Sequence, residues 1–403
     1  MQLARSAGRM DLILNQSDYN PQWHAWQNSL TEHLHFLAEQ DRLRTLADSD
    51  LISFAANDYL GLNHDGLLAR LLTNLAADTQ QIGSTGSRLL SGHHTAYEKA
   101  ETWFAAFTGS ESSLFFSTGY AANVGTLQSI LTSRDTVYAD RACHASMLDG
   151  VRLSGARRVY FRHNDLNHLG GLLARHDGRG QAWILVESVY SMDGDRADLS
   201  GIADLARRYG ALVYVDEAHA IGVWGQAGQG LSYELPNRNE IAVRVFPCGK
   251  APGLMGAFVC GSTALTQTLI NKARSFIFST AQPPILAHLL HQALEWIASP
   301  MADPARQRLH QLAATTRSRI QAAGLSTLAS DSQIVPVLCG SEARAMALSG
   351  LGALHGLDLR AIRPPTVERD TCRVRLCLNS WHTDEHLAVL FQVLEEYARQ
   401  DAL

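Results

Sequence analysis

From about residue 66 to residue 275 the chain alternates short apolar runs with segments of helical period. The apolar runs predict seven strands, at residues 113–117, 136–140, 157–163, 182–188, 211–219, 243–247 and 257–261. Helical period marks residues 96–107, 121–132, 200–208 and 263–275. This alternation predicts an α/β fold with a mostly parallel, seven-stranded sheet that carries helices on both faces.

The two ends of the chain follow other patterns. Residues 20–50 are polar and helix-like, and "LISFAANDYLGL" (51–62) indicates a short strand that enters a turn. Beyond residue 285 helices dominate, with further strands expected at 334–340 and 374–380. We therefore expect an N-terminal helical segment (1–52), a large α/β domain (53–285) and a smaller C-terminal α+β domain (286–403).

Composition narrows the class of protein. The 403 residues are 46% hydrophobic and 18% charged, as in an ordinary globular protein. A net charge of −5 without a dense Lys/Arg block argues against nucleic-acid binding. The chain contains no apolar stretch of bilayer length and no secretory signal at its start, so we expect no membrane contact. Six cysteines without zinc-ligand spacing indicate reduced thiols in the cytoplasm and no metal site.

Polar residues cluster where the predicted strands end, which is where open α/β sheets bind ligands. "FFSTGYAANVG" (115–125) puts Gly119 at a strand–helix junction, whose free N–H groups and helix dipole suit a phosphate. "CHASMLDG" (143–150) brings His144 to the next strand end, where its ring could stack on a flat ligand. "VESVYSMDGD" (186–195) places Glu187 and Ser191 similarly. Taken singly, each junction also suits an ordinary polar turn.

Three further residues indicate which kind of ligand these strand ends bind. Apart from two cysteines, Lys250 is the only ionisable side chain in "VFPCGKAPGLMGAFVCG" (245–261). A desolvated lysine has a lowered pKa and a nucleophilic amine that can form a Schiff base. "VYVDEAHA" (213–220) ends a strand with Asp216, suited to a protonated ring nitrogen, and His219, able to bond a ring oxygen. Together with a phosphate site, these residues predict pyridoxal phosphate as cofactor.

The letters D-E-A-H at 216–219 also occur in a class of helicases. Such a motor needs a phosphate loop of the form G-x-x-x-x-G-K-[ST] upstream, which this sequence lacks. A non-catalytic homologue is another alternative, but it would be expected to lose the lysine. The residues therefore favour a pyridoxal-phosphate enzyme.

The chain resembles the α-oxoamine synthase family, pyridoxal-phosphate-dependent transferases of fold type I. The resemblance runs from about Ser53 to Leu394. Its landmarks are "NDYLGLN", "GSTGSRLLSGHHTAYEKAE", "STGYAANVG", "YADRACHASMLDG", "VESVYSMDGD", "VDEAHAIGVWGQAGQG", "GKAPGLMGAFV", "FIFSTAQPP" and "AIRPPTV". Within the family, "GSRLLSG", "SMDGD" and "AIRPPTV" look most like the acyltransferases of biotin synthesis.

The resemblance implies roles for individual residues around the cofactor. Lys250 would hold the cofactor covalently, Asp216 would face the ring nitrogen and His219 would bond the ring oxygen. With His144, these are the implied catalytic residues. Further cofactor contacts would come from Gly119, Tyr120, His144, Glu187 and Ser191, and from Ser279 and Thr280 of a neighbouring subunit. The last two imply a homodimer with shared active sites.

The resemblance also implies the substrates, L-alanine and a pimeloyl thioester on CoA or on an acyl carrier protein. They would be joined to a 2-aminoketone with loss of CO2. A sister activity with glycine, serine or a longer fatty-acyl thioester remains the alternative, because it would use the same cofactor residues. Asn57 and Arg363 would hold the amino-acid carboxylate, and Thr366 would lie near the acyl group.

Two points of the resemblance stay open. Arg42 and Arg44 are candidates for a contact with the acyl thioester's carrier, or they belong to a solvated helix face. Pro247 stands three residues before the lysine, where the family commonly has Thr or Ser. A hydroxyl there would be expected to bond the cofactor phosphate, and proline offers neither a hydroxyl nor an N–H.

Overall fold

The structure, a computed structural model, describes residues 20–40, 42–44, 46, 49–78, 82–237 and 240–401. Its strands are β1 (Ile52–Ser53), β2 (Ser112–Phe116), β3 (Thr136–Asp140), β4 (Arg157–Phe161), β5 (Ala182–Glu187), β6 (Leu212–Asp216), β7 (Ile241–Pro247), β8 (Ala257–Gly261), β9 (Ile334–Gly340), β10 (Leu357–Asp358), β11 (Ala361–Ile362) and β12 (Cys372–Cys377). Its α-helices are α1 (Pro21–Glu39), α2 (Leu67–Asp78), α3 (Thr95–Thr108), α4 (Gly119–Ile130), α5 (Ala145–Ser154), α6 (Leu166–Leu173), α7 (Leu199–Tyr209), α8 (Thr263–Lys272), α9 (Arg274–Ile277), α10 (Pro284–Ala298), α11 (Asp303–Ala322), α12 (Glu342–Leu354) and α13 (Asp384–Asp401).

Seven strands form the central sheet, in the order β2-β8-β7-β6-β5-β3-β4. Strands β3 to β7 run parallel, and β8 is antiparallel to both β2 and β7. The predicted mostly parallel, seven-stranded sheet is confirmed. Two predicted strands end earlier than expected, at Phe161 and at Asp216. At the second of these ends, the Ala218 N–H donates to the Asp216 side chain, 2.9 Å away, so the backbone turns out of the sheet.

Local capping places helix N-termini at the carboxyl ends of the strands. The Thr118 hydroxyl caps α4 by accepting from the Ala121 N–H at 3.0 Å. The His144 ring caps α5 by accepting from the Ser146 N–H at 3.2 Å. Gly109, in the left-handed conformation at φ +61°, ends α3 just before β2 begins. The short strand–helix connections therefore bring free N–H groups to one edge of the sheet.

The C-terminal part of the chain builds a second, smaller sheet. Strands β11, β12 and β9 pair antiparallel in that order, with α12 packed against them. The predicted α+β character of this region is confirmed. The boundaries at residues 52 and 285 stay predictions, and two contacts cross them. Strand β1 pairs with β10 (Ile52 beside Leu357), and α10 packs against α3 of the large sheet.

Helix α1 differs from the other helices because it buries none of its residues. The side chains of Trp26 and Phe36 are 51% and 53% exposed. Among the described residues, no helix combines the length and the apolar character that a membrane span requires. All six cysteines are free and buried.

Candidate active site

A cavity of about 260 Å³ opens at the carboxyl ends of the parallel strands. Eight of the sequence-predicted residues line it, namely Asn57, Gly119, Tyr120, His144, Glu187, Asp216, His219 and Lys250. They come from five strand ends, those of β2, β3, β5, β6 and β7, and from the segment after β1. The fold therefore gathers residues that are separated by up to 193 positions in the chain.

Lys250 reaches this cavity from a tight turn after β7. The Gly253 N–H donates to the Lys250 carbonyl at 2.7 Å, and the Cys248 N–H donates to the Gly256 carbonyl at 2.8 Å. Gly253 and Gly256 have φ of +73° and +141°, and a Cβ at Gly256 would lie 2.5 Å from the Phe115 ring. The glycines around the lysine are therefore required by backbone conformation and by close packing.

The Lys250 amine has no hydrogen-bond or ion-pair partner among the described residues, although it lines a polar cavity. Burial lowers its pKa below the usual value for lysine, and the negative charges of Asp216 and Glu187 partly oppose that shift. A lowered pKa makes the neutral, nucleophilic amine more accessible. The chain has only two other lysines, Lys99 and Lys272, and both are exposed on helices.

Asp216 ends β6 with both carboxylate oxygens occupied. The Asn123 side chain donates to Oδ2 at 2.7 Å, and the Ala218 N–H donates to Oδ1 at 2.9 Å. The Tyr214 hydroxyl donates to Oδ1 of Asn123 at 2.7 Å, which fixes the amide with its N–H₂ toward Asp216. These contacts favour an ionised Asp216, and the side chain is only 4% exposed. Such a carboxylate is suited to hold a proton on a ligand nitrogen.

His219 lies on the same side of the cavity, with its ring fixed by Tyr59. The Tyr59 hydroxyl is 2.7 Å from His219 Nδ1 and donates to Asn57 Oδ1 at 3.0 Å. Gln333, from the C-terminal part, donates to the His219 carbonyl at 2.7 Å. Burial and the charges of Lys250 and Arg375 place the pKa of His219 well below its usual value. The imidazole is therefore neutral and can bond a ligand oxygen through its other ring nitrogen.

Pro247 lies against the N-terminus of α4 at the far end of the cavity. A Cβ at Gly119 would lie 2.7 Å from both Cβ and Cγ of Pro247, so the two residues are in direct contact. Only glycine leaves room for this approach of β7 to the helix. The first N–H groups of α4 thus remain free to face an anion in the cavity.

Sequence reasoning missed several residues that build this site. Asn123 holds the Asp216 side chain in place. The sequence pattern that could have identified it is a polar residue on the buried face of α4, the helix that begins at the predicted phosphate site. Tyr59 and Gln333 have no local signal, because they approach His219 from distant parts of the chain. Arg375 is also buried, in β12, and its Nη2 donates to Asn57 Oδ1 at 3.1 Å while its Nε donates to the Ser191 carbonyl.

The structure places the other predicted residues outside the cavity wall. Ser191 is buried next to Arg375. Thr366 lines a second cavity of about 670 Å³, and Arg44 donates to its hydroxyl at 3.3 Å. Arg42 pairs with Glu342 at 3.0 Å. Arg363 is half-buried and lines neither cavity.

Ser279 and Thr280 line a third, small cavity beside Arg88. Neither residue is among those that line the Lys250 cavity of the same chain. This placement leaves them able to serve another subunit's site rather than their own.

A charged histidine ties together the loops that follow β3 and β5. His163 Nδ1 lies 2.8 Å from Asp140, and its Nε2 lies 3.0 Å from Asp195. Despite burial, hydrogen bonds to these two aspartates raise the pKa of His163 to about 10, so it is protonated at neutral pH. One possible metal-ligand atom from each of His163, Asp193 and Asp195 lies within 4.8 Å of the others. However, the aspartates bonded to the imidazole ring already neutralise its positive charge. Asp193 also pairs with Arg373 of β12.

The site fits pyridoxal phosphate in three independent respects. It offers an amine of lowered pKa, a carboxylate fixed by two N–H donors, and a free helix N-terminus, all in one cavity. These match an aldehyde, a pyridine nitrogen and a phosphate, respectively.

Comparison with known proteins places the chain in a family. Residues 49–394 match the model of the family described as aminotransferase class I and II. An 8-amino-7-oxononanoate synthase of Geobacter sulfurreducens is 39% identical over 362 residues, covering 90% of this chain and 92% of that protein.

Solved structures agree with this assignment. A serine palmitoyltransferase of S. paucimobilis, solved with PLP and myriocin, matches with a TM-score of 0.85 at 25% identity, covering 93% of this chain and 98% of that one. The 8-amino-7-oxononanoate synthase of Francisella tularensis matches with a TM-score of 0.73 at 27% identity, covering 88% and 100%. The chain therefore belongs to the aminotransferase class I and II family and, within it, to the α-oxoamine synthases most like 8-amino-7-oxononanoate synthase.

Proposed function

We propose that this protein condenses L-alanine with a pimeloyl thioester to give 8-amino-7-oxononanoate, CO2 and the free thiol, as a pyridoxal-phosphate-dependent step of biotin synthesis. The observation that carries the proposal is the position of Lys250, whose amine has a lowered pKa and shares one cavity with Asp216, His219 and the N-terminus of α4. The relatives at about 40% identity over most of the chain support the choice of substrates.

Each residue of the cavity has a definite task in this reaction. Lys250 would hold the cofactor covalently, and its amine, once released, would remove the Cα proton of alanine. Asp216 keeps a proton on the ring nitrogen, and His219 bonds the ring oxygen. When bound, pyridoxal phosphate supplies an electron-withdrawing ring that accepts the electron pair left at Cα.

His144 completes the cofactor site at its rim. Its Nδ1 lies 2.7 Å from the Ser146 hydroxyl, and this hydrogen bond fixes the orientation of the ring at the start of α5. We assign it the task of covering one face of the cofactor ring and of limiting water at Cα. The deprotonated Cα of alanine would then attack the thioester carbonyl and expel the thiolate. Loss of the carboxylate as CO2 would leave an electron pair at Cα, which takes a proton to give the 2-aminoketone.

The phosphate end of the site carries a prediction about Pro247. Replacing it by threonine adds a hydroxyl beside the N-terminus of α4, and we expect the dissociation constant of pyridoxal phosphate to fall about tenfold or more. Pro247→Val is the matched control, because it removes the ring and restores the backbone N–H, as threonine does, but adds no hydroxyl. Fluorescence titration of the cofactor-free proteins measures both. Equal affinity of the wild type and Pro247→Thr would show that other donors already satisfy the phosphate.

A second prediction concerns the amino-acid carboxylate. Asn57 lines the cavity, and the buried Arg375 holds its side-chain oxygen while interacting with the charge of Lys250. A guanidinium fork binds a carboxylate in two parallel contacts, which a lysine cannot reproduce. We expect Arg375→Lys to raise the apparent dissociation constant of alanine roughly 10- to 100-fold with little effect on the thioester KM.

Arg363→Lys is the comparison for that experiment, since the resemblance assigned the carboxylate to Arg363. A spectroscopic titration with alanine measures both variants, and melting temperatures confirm that both fold. If only Arg363→Lys weakens alanine binding, the carboxylate contact belongs to the "AIRPPTV" segment and Arg375 merely positions Asn57.

The acyl side of the reaction is assigned to the second cavity. Thr366 and Arg373 line this cavity. Cys143 also lines it, and the next residue, His144, lines the first cavity, so the two cavities adjoin at this point of the chain. Arg44 reaches this cavity through its bond to Thr366, which supports a contact with the thioester's carrier. Arg42 forms an ion pair with Glu342 and is not among the residues that line this cavity.

We also propose a homodimer with shared sites, acting in the cytoplasm. Helix α1 buries none of its residues in the single chain and leaves Trp26 and Phe36 about half exposed, as expected for a surface that a second copy covers. Ser279 and Thr280, beside Arg88, are available to the partner's cofactor phosphate. Six free, buried thiols suit a reducing compartment.

A panel of substrates tests the proposed function against its alternative. Initial rates are measured for alanine, glycine and serine, each against pimeloyl, palmitoyl and acetyl thioesters of CoA. The proposal predicts the highest kcat/KM for alanine with the pimeloyl thioester. A higher value for glycine or serine, or for the long acyl chain, would assign the protein to a sister activity that uses the same cavity.

A further inference from the structure

Two carboxyl groups stand side by side at the carboxyl ends of neighbouring strands. Glu187 of β5 pairs in register with Asp216 of β6. Paired positions on adjacent parallel strands lie about 5 Å apart, with their side chains on the same face of the sheet. Both groups are buried, at 2% and 4% exposure, and both line the cavity. Two negative charges on neighbouring buried strand ends repel each other, which disfavours ionisation of both groups at once.

The hydrogen bonds assign the negative charge to Asp216. Each of its oxygens accepts one N–H, from Asn123 at 2.7 Å and from Ala218 at 2.9 Å. Asn123 is locked in this orientation by Tyr214. The Asn123 and Ala218 donors therefore both stabilise the anionic form of Asp216.

Glu187 is arranged in the opposite way. Its Oε1 is buried and has no hydrogen-bond partner among the described residues. A buried carboxylate oxygen without a donor is costly, which favours the neutral, protonated form of this carboxyl group. Burial, followed by repulsion from Asp216, raises the pKa of Glu187 to about 8.

Other charged groups face Glu187 from several elements. Lys250, after β7, and the backbone N–H groups of His144 and Ser191 favour its ionised form. Arg375 of β12 also interacts with its charge. The thiol of Cys143 and the hydroxyl of Tyr190 are neighbours that are themselves neutral, because burial raises the pKa of each well above its usual value. The favourable groups reduce the preference for the protonated form without abolishing it.

We propose that Glu187 and Asp216 form a carboxyl pair with one proton, that this proton resides on Glu187, and that the carboxyl group of Glu187, which lines the cavity, donates a hydrogen bond to an oxygen of bound pyridoxal phosphate. Asp216 thereby keeps its charge for the ring nitrogen, and Glu187 supplies a neutral donor close to it. This assignment rests on the proposed function only through the cofactor and not through the identity of the substrates. Environments that drive two adjacent carboxyl groups to opposite protonation states are a recurrent feature of catalytic sites.

Cofactor affinity as a function of pH tests the pair. The dissociation constant of pyridoxal phosphate is measured with cofactor-free wild type, Glu187→Gln and Glu187→Ala on both sides of pH 8. The ratio of wild type to Glu187→Gln isolates Glu187, because Lys250 and the cofactor titrate in both proteins. We expect this ratio to rise by up to about tenfold per pH unit between the pKa of Glu187 in the cofactor-free protein and its higher pKa in the complex. Glu187→Ala has no side-chain donor, so we expect it to bind pyridoxal phosphate at least about tenfold more weakly than Glu187→Gln at every pH.

The stability of the cofactor-free protein gives a second readout. The pKa of Glu187 is raised from 4.5 to about 8 on folding, so the wild type is expected to lose stability as pH rises across that window. Glu187→Gln cannot ionise and is expected to lose less over the same range. Infrared difference spectra should show one protonated carboxyl signal at neutral pH that disappears in Glu187→Gln.

Each result decides the proposal. A wild-type to Glu187→Gln affinity ratio that stays constant with pH, or melting curves that shift in parallel, would mean that Glu187 is already ionised and would overturn it. Absence of the carboxyl signal would do the same. Failure of the substrate panel would instead leave these cofactor-binding and stability results standing, so the two proposals fail separately.

Discussion

Replacing Lys250 by alanine is expected to lower kcat by about four orders of magnitude or more while leaving the fold intact. In the proposed reaction the Lys250 amine holds the cofactor and then moves the Cα proton of the substrate. General base catalysis alone contributes up to about 10⁴-fold to the rate. Removing a lysine that has no ion-pair partner among the described residues takes away an unfavourable buried charge, so stability should not fall. Steady-state kinetics and thermal melting measure the two effects.

The chain offers a matched control, because Lys272 is an exposed lysine at the end of α8. Lys272→Ala should keep wild-type kinetics. Borohydride reduction followed by peptide mass mapping should attach the cofactor to Lys250 alone among the three lysines. Turnover of Lys250→Ala at the wild-type rate, or a cofactor adduct on Lys99 or Lys272, is incompatible with the assigned role.

Replacing Asp216 by asparagine is expected to lower kcat roughly 10²- to 10³-fold. Removing one member of a buried charge pair costs about 3–5 kcal/mol, because the other charge, here the protonated ring nitrogen, remains buried. The new amide also turns an N–H toward the Asn123 N–H₂ or the Ala218 N–H, where the carboxylate had accepted from both. The bound cofactor's absorption spectrum and kcat report the change.

The exposed pair of Asp204 with Arg207 provides the control for Asp216→Asn. Asp204→Asn removes an aspartate on the surface of α7 and should leave kcat unchanged. If Asp216→Asn retained full activity with an unaltered spectrum, the ring nitrogen would not depend on this carboxylate.

Much of the fold was predictable because its signals are local. Strands of the central sheet that are buried on both faces are continuous apolar runs, and the strands at 136–140 and 257–261 coincide with their predicted ranges. The cofactor end of the site was predictable for the same reason. Lys250, Asp216 and His144 each follow directly after such a run, and parallel strands bring their carboxyl ends to one edge.

The support of those residues was not predictable from local patterns. Tyr59 and Gln333 reach His219 from more than 100 positions away in the chain. Arg375 alternates with apolar residues in β12, a pattern that equally suits a strand with one solvent-facing side. Only the pairing of the C-terminal sheet with the rest of the chain shows that this arginine is buried next to Asn57.

The protonation of the site also depends on tertiary structure. The sequence places Glu187 and Asp216 at two strand ends, but only the strand order puts β5 beside β6 with these two residues in register. The absence of a donor to one oxygen of Glu187 among the described residues is likewise a property of the packed site. A pattern of residue types carries no information on which of two acids keeps the proton.

The most direct test of the proposed reaction follows the carboxyl carbon of alanine. The holoenzyme is given L-alanine with an isotopic label in that carbon, together with pimeloyl-CoA, and mass spectrometry quantifies labelled CO2, free CoA and 8-amino-7-oxononanoate. Decarboxylative condensation predicts equal amounts of all three products. Release of CoA without labelled CO2, or conversion of alanine to pyruvate instead, would contradict it and indicate simple acyl transfer or transamination in the same cavity.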